Sequence, residues 1–372
     1  MTPTYRNLKG ISSSKSENPL LPLEVIVFCC KPRIFLLLFL STVSSCLLFS
    51  HPFGDNDKYA IARISSYVDS LVAEDEFSGV VLVSKKGEVL FQKAYGMAIK
   101  ETSTPNRVDT KFNLGSINKV FTQIAIHQLV RQGRMQLTDP IKKFLPDYPN
   151  QEAAENVTIQ HLLTMTSGIG DFFGDRYRAT PKESLRTISD YLALFADKPL
   201  EFEPGKGSRY SNGGYIVLGA IIEASTGIDY YEYVRKNVFQ PAMMRETDWY
   251  FKSQKVANLA AGYMGTKGRR VRNDETRPER GSSAGGGYST AGDLWKFTRA
   301  LKDGVLYHPR VEKDGGLGTA GGAPGINAAL EWDSRSDILV VILTNYDPPS
   351  AEKPARTIFQ WLAKAEDGKK DP

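Results

Sequence analysis

The sequence predicts an α+β fold: an antiparallel sheet built from both termini and flanked by helices, with a helical subdomain inserted at about 116–285. Three observations lead there. β-rich runs gather at the two ends, near 77–95 and 326–345. Between them the signals are helical and loop-rich. At the start of that middle stretch, residues 120–130 form a charge-free run just after Ser116, the mark of a helix buried on nearly every side.

Residues 1–50 read as targeting sequence and 51–372 as the folded body. Lys31 and Arg33 precede sixteen uncharged residues, 34–49, fewer than the roughly 20 that comfortably span a bilayer. That length suits a signal segment. Val43-Ser44-Ser45-Cys46 resembles a bacterial lipobox, whose cysteine is lipidated; an uncleaved signal anchor is the alternative. Either one tethers the body to the membrane on the extracytoplasmic side, in the cell envelope. All three cysteines, Cys29, Cys30 and Cys46, lie in this segment, so the body has no disulfide and no cysteine metal site. The four histidines show no ligand spacing, and neither a metal nor another cofactor is expected. The net charge is only +5 over 372 residues. The basic cluster at 268–272 has no interleaved aromatics, so it reads as a solvated loop, and nucleic acid is not an expected partner.

The body opens with a helix, because Tyr59, Ile61, Ile64, Val68 and Leu71 recur at helical spacing. Two strands follow at 77–84 and 89–95, joined through Lys85-Lys86-Gly87-Glu88. Thr158 caps a short helix that begins Thr158-Ile159-Gln160-His161-Leu162-Leu163 and ends at Ser167-Gly168, and longer helices are expected at 182–196 and 214–225. Thr290 caps another at 291–301. A second hairpin, 326–332 and 338–345, turns at Asp333-Ser334-Arg335-Ser336, and 351–365 closes the chain as an amphipathic helix.

The chemistry concentrates at Phe112-Asn113-Leu114-Gly115-Ser116-Ile117-Asn118-Lys119. Three residues along a helix return to the same face, which puts Lys119 beside Ser116. A serine hydroxyl needs a base before it attacks, and a lysine with a free pKa of about 10.4 is a base only when neutral. Burial in an apolar helix favours the neutral form. Ser-x-x-Lys also occurs at Ser12 and Ser350, but there it stands in a polar tail and after Pro348-Pro349, without a buried helix behind it. Tyr210-Ser211-Asn212 is the second element, on a Gly-rich loop before a helix, where a tyrosine hydroxyl can face a cleft and carry protons. A surface tyrosine with Asn212 capping the helix is the plainer reading of that triplet.

Two competing sites are weaker. Gly281-Ser282-Ser283-Ala284-Gly285 fits Gly-x-Ser-x-Gly, but polar residues precede it where a nucleophile elbow needs a buried strand. A Ser-His-Asp triad would have to use His127 or His161, each of which sits in a predicted helix and is readily satisfied by packing.

Taken in order, the Ser116 stretch, Tyr210-Ser211-Asn212 and Gly318-Thr319-Ala320-Gly321-Gly322-Ala323-Pro324-Gly325 resemble the serine β-lactamase and penicillin-binding family, in its class C β-lactamase-like branch with esterases and D-amino peptidases. Stretches 158–168 and 285–297 support the match, which covers roughly 55–365. The resemblance implies that Ser116 is the acylated nucleophile, Lys119 its base partner and Tyr210 the proton shuttle. It further implies that Asn212 touches the substrate or Lys119 and that Thr319, Gly321 and Gly322 meet the substrate, with the N–H groups of Ser116 and Gly322 as oxyanion hole. The expected substrate is a small molecule or a peptidoglycan-derived one: an ester, a β-lactam or a D-amino-acid peptide.

The third stretch departs from the family. Where relatives carry Lys or His, this chain has Thr319, so a cation that would tune the tyrosine is absent. The segment before it, 302–318, is short, and the strand beside Ser116 is expected to be displaced or frayed. The function expected is that of an exported, tethered serine hydrolase with reduced activity; the alternative is a weakened relative that binds such ligands without efficient turnover.

Overall fold

The structure, a computed structural model, describes residues 55–366. The targeting segment and lipobox-like stretch lie outside the described residues. Helix α1 (Asp55–Ala73) is followed by strands β1 (Gly79–Lys85) and β2 (Glu88–Tyr95). Helices α2 (Asn118–Arg131), α3 (Ile159–Leu163), α4 (Asn212–Thr226), α5 (Ala291–Lys302) and α6 (Pro309–Asp314) come next, with shorter pieces between them. The chain then returns through β3 (Gly316–Ala323), β4 (Ile326–Asp333) and β5 (Ile338–Thr344) to α7 (Glu352–Glu366).

The five strands form one antiparallel sheet in the order β2-β1-β5-β4-β3, so β1 and β5, the first and last of these strands in sequence, pair near its centre. β1 pairs with β5 from Gly79 opposite Thr344 to Lys85 opposite Ile338. Both faces of these central strands are covered, which explains why they read as unbroken apolar runs. Val81, Val83, Val340 and Ile342 pack under α1 and α7, where Tyr67 and Trp361 meet edge to face at 5.2 Å. Val80, Leu82, Val341 and Leu343 face the helical half of the molecule. There α2 is the axle: Val120, Phe121, Ile124, Ala125 and Leu129 are all buried, and Phe121 meets Phe239 and Phe297 edge to face.

The structure corrects three expectations. The helix expected at 182–196 is broken into a turn at Lys182–Ser184 and a single helix at Ile188–Leu192. Backbone groups that a continuous helix would use are spent on the neighbouring segment, since Glu279 N–H donates to the Lys182 carbonyl and Arg280 N–H to that of Leu185. Thr187 and Asp190 then start the helix afresh as a capping box. The strand beside Ser116 is intact: β3 pairs with β4 over its full length, from Gly316 opposite Asp333 to Ala323 opposite Ile326. The short segment before it suffices because α6 fills it, capped by His308 and ended by left-handed Gly315. Finally, the basic cluster is not a solvated loop throughout, because the Arg270 side chain is 9% exposed, ion-paired with Asp75 and stacked 3.6 Å over Tyr346.

Candidate active site

Ser116 sits in the 3-10 turn Gly115–Ile117 that leads into α2, held from behind by β3. The approach of β3 is too close for a side chain. A Cβ at Gly321 would lie 2.0 Å from the Leu114 carbonyl oxygen and 2.6 Å from Ser116 N, and one at Gly115 would lie 2.9 Å from Gly322 N. Ala323 and Ile326 close the tight turn Pro324-Gly325. Alternate residues of β3 therefore direct their backbone groups to β4, and those between, including Gly322, to the open edge where Ser116 lies.

Lys119, one turn further on, is 5% exposed. Its Nζ donates to Asn212 Oδ1 at 2.7 Å and to the Ala284 carbonyl at 2.6 Å, and lies 3.0 Å from Ser116 Oγ. Burial pulls its pKa from 10.5 to about 7, partly opposed by the carboxylate of Asp171. Near neutral pH a large share of the molecules therefore carries an amine with two N–H groups and one lone pair. The two carbonyl oxygens take the N–H groups. The lone pair is left facing the Ser116 hydroxyl, which is the arrangement a general base requires.

Tyr210 lies on the loop before α4, and its Oη donates to Ser116 Oγ at 2.6 Å. That loop is anchored by Ser211, which caps α4 by accepting from Gly214 N–H at 2.9 Å and donates to the Gly170 carbonyl at 3.1 Å. The cap is thus Ser211, and Asn212 turns its side chain to Lys119 instead. Although Tyr210 is 55% exposed, loss of solvation around its hydroxyl is the first cause of a raised pKa, with the Ser116 hydrogen bond opposing and Asp171 adding to the rise. It therefore keeps its proton at rest. Burial leaves the neighbouring lysine near half neutral at pH 7, so no standing ammonium is there to ionise the phenol.

These groups open on a cleft of about 940 Å³ lined by Ser116, Tyr210, Asn212 and Gly322. Thr319 does not line it. It stands opposite Leu330 on the face that packs against the helical half, and Ala320 is the β3 residue that reaches the cleft instead. Gly321 is likewise behind the wall and acts as the spacer that admits β3. Neither competing site assembles: Ser282 N–H and the Gly285 carbonyl close a tight turn at 2.7 Å, Ser283 is fully buried, and none of the described residues lining the cleft is a histidine.

Two groups at the centre had no sequence signal strong enough to nominate them. The Ala284 carbonyl is backbone, delivered by the turn that mimics Gly-x-Ser-x-Gly. Asp171, just past the 158–168 stretch, accepts from Asn212 Nδ2 at 2.6 Å. Its place is set by tertiary contact rather than by local pattern.

Residues 64–365 match the family model described as Beta-lactamase. A penicillin-binding protein of Bacillus subtilis (strain 168) is 30% identical over 207 residues, 54% of this chain and 45% of that protein. Esterase EstB of Burkholderia gladioli is 35% identical over 198 residues, 50% of each. The chain thus spans about half the length of these two curated relatives. Among solved structures, a penicillin-binding protein from Bacillus halodurans is 30% identical with a TM-score of 0.72, covering 79% of this chain and 98% of that one. D-amino acid amidase from Ochrobactrum anthropi SV3 is 25% identical with a TM-score of 0.68, covering 84% and 99%. With most of the chain matched and the sheet order and Ser116 geometry described above, this protein belongs to the Beta-lactamase family.

Proposed function

We propose that the protein is an exported, membrane-tethered serine hydrolase that acts through an acyl-enzyme on Ser116, with carboxylic esters of apolar acyl groups as its substrates. One observation carries the reading: Ser116 Oγ lies 3.0 Å from a lysine with a pKa of about 7 and 2.6 Å from a protonated tyrosine. Neutral Lys119 takes the proton as Oγ bonds to the ester carbonyl carbon, and the carbonyl oxygen becomes an oxyanion held by the N–H groups of Ser116 and Gly322. Collapse breaks the bond to the alkoxide, which takes the Tyr210 proton and leaves as alcohol. Lys119, now an ammonium 4.9 Å from that ring, restores the proton. Water then attacks the acyl-enzyme with the same groups in reverse, releasing acid and Ser116.

The choice of ester rests on the cleft walls. Phe172, Phe173, Tyr177 and Tyr191 form one side, ring against ring at 4.2 to 5.6 Å, and offer an apolar seat for an acyl group. The β3 edge presents Ala320, Gly322 and Ala323, with Asp347 and Glu352 beyond. Among the described residues of the lining Arg277 is the only Lys or Arg, and it lies 3.6 Å from Asp274. A β-lactam or D-alanyl peptide carries a carboxylate near its scissile bond, and this edge provides no hydroxyl or free cation for it. Export and tethering rest on residues 31–46.

The test uses the full chain in fractionated cells. A fluorophosphonate should label this protein in the membrane fraction, with the adduct mapping to Ser116, and p-nitrophenyl phenylacetate should turn over at least about tenfold better in kcat/KM than a chromogenic cephalosporin. An adduct on Ser282 or Ser350 would overturn the site, faster cephalosporin turnover the substrate class, and recovery of intact chain from the cytosol the tether.

A further inference from the structure

Asn212 touches Lys119 through one end of its amide and Asp171 through the other. The Asp171 carboxylate accepts from Asn212 Nδ2 at 2.6 Å and from its backbone N–H at 3.4 Å, while Asn212 Oδ1 accepts from Lys119 Nζ at 2.7 Å. An ionised carboxylate can only accept, so the NH₂ end of the amide must face it and the oxygen must face the lysine. Without Asp171 the amide could rotate by half a turn and present N–H to Nζ. The Lys119 lone pair would then be drawn to Asn212 instead of Ser116. The other carboxylate oxygen of Asp171 accepts from Phe173 N–H at 3.1 Å, so one residue ties the base to the aromatic wall.

Resting on the hydrolase reading above, we propose that Asp171 is a positioning residue for the base: it fixes the Asn212 amide so that Lys119 aims its lone pair at Ser116, and its charge biases the lysine toward the ammonium. The groups facing Lys119 are few. The rings of Tyr210 and Tyr215 lie 4.9 and 5.5 Å from Nζ, from the loop and from α4, and the remaining contacts are the Ser116 hydroxyl, the Asn212 amide and the Ala284 carbonyl. Among the described residues Asp171 is the one carboxylate acting on it, and it offsets part of the burial that lowers its pKa. Orientation and charge are separable, because an asparagine at 171 can still accept from Asn212 while carrying no charge.

The experiment measures p-nitrophenyl butyrate hydrolysis from about pH 5 to 9 for wild type, Asp171→Asn and Asp171→Ala, with melting temperatures to confirm folding. Losing an opposite charge at this range should move the acid limb to lower pH by about one unit in both variants. The plateau kcat should stay within about threefold for Asp171→Asn and fall about tenfold for Asp171→Ala, with KM little changed. Asn212→Ala combined with Asp171→Ala should lose no more than the larger single loss, since both remove one orienting contact. An acid limb unmoved in folded Asp171→Asn overturns the proposal, and that variant decides it even if Asp171→Ala does not fold. Failure of the underlying hydrolase reading shows separately, as a wild type that takes no label on Ser116.

Discussion

The two sides of Ser116 are built on opposite terms. On the helical side, Lys119, Tyr210 and Asn212 bring side-chain atoms that form a connected hydrogen-bond network around Oγ and out to Asp171. On the β3 side the nearest residues are Gly321 and Gly322, and they contribute only backbone. The difference separates chemistry from geometry. Changes on the helical side should alter proton transfer and leave the fold in place, whereas changes on the β3 side should act by moving the strand.

The largest effect is expected at Lys119. In Lys119→Met the general base is gone, and kcat/KM for an ester should fall by about 10³, within the range for loss of acid–base catalysis. Wild-type activity should rise with pH through about 7, as the amine loses its proton, and this limb should vanish in the variant. The same substitution has a stability signature of opposite sense. Lys119 has a pKa of about 7 folded against 10.5 as the ordinary value, so between those pH values the unfolded chain binds more protons and wild-type stability rises with pH. Below about 7 the folded state carries a buried ammonium at full cost. Lys119→Met should thus gain most over wild type at low pH, by roughly a few kcal/mol, and the gain should shrink as pH rises toward 10. Denaturant melts at several pH values measure it; a gain that does not vary with pH would contradict the buried-amine account.

On the strand side the informative change is Gly321→Ala. A Cβ 2.0 Å from the Leu114 oxygen and 2.6 Å from Ser116 N cannot be accommodated by a side-chain movement, so β3 must shift. The N–H of Gly322 would leave its place, with a loss of about 10² to 10³ in kcat. Because Lys119 and Tyr210 are untouched, the pH profile should keep its wild-type limb. A variant with wild-type rates would show that β3 contributes no donor.

The same division sets what could be read from the sequence. Central strands, the buried helix after Ser116 and the amphipathic last helix were legible because each has a period or an unbroken apolar run. Ser116, Lys119, Tyr210 and Asn212 could be nominated because their chemistry resides in side chains at short spacings, and the structure brings all four within hydrogen-bond reach. The break at 185–187 was not legible, since it depends on backbone bonds to residues 279 and 280, distant in the chain. Asp171 and the Ala284 carbonyl share that cause. The part of Thr319 was misjudged for a related reason: spacing identifies the residue aligned with a relative's cation but not which face of an eight-residue strand meets the cleft.

The smallest effect is expected where the sequence alone suggested a large one. Thr319 stands on the β3 face shared with Gly321 and opposite Leu330, half-buried and outside the cleft lining. A lysine there would extend along the buried side of the strand toward the helical half, in the direction of Ser116. Its charge would act on Lys119 as a like charge and disfavour the ammonium. It would also favour a Tyr210 phenolate, against the raised pKa that keeps the phenol protonated. The first effect supplies more base at low pH, and the second removes the acid that protonates the leaving group. These oppose each other in kcat, so Thr319→Lys should move the acid limb to lower pH while changing the plateau for p-nitrophenyl butyrate by no more than about threefold, or roughly 0.7 kcal/mol. Thr319→Val, of similar volume and without charge, should leave both unchanged. A gain of tenfold or more in Thr319→Lys with the limb in place would mean that the absent cation limits this enzyme after all, and that its tyrosine must ionise to work.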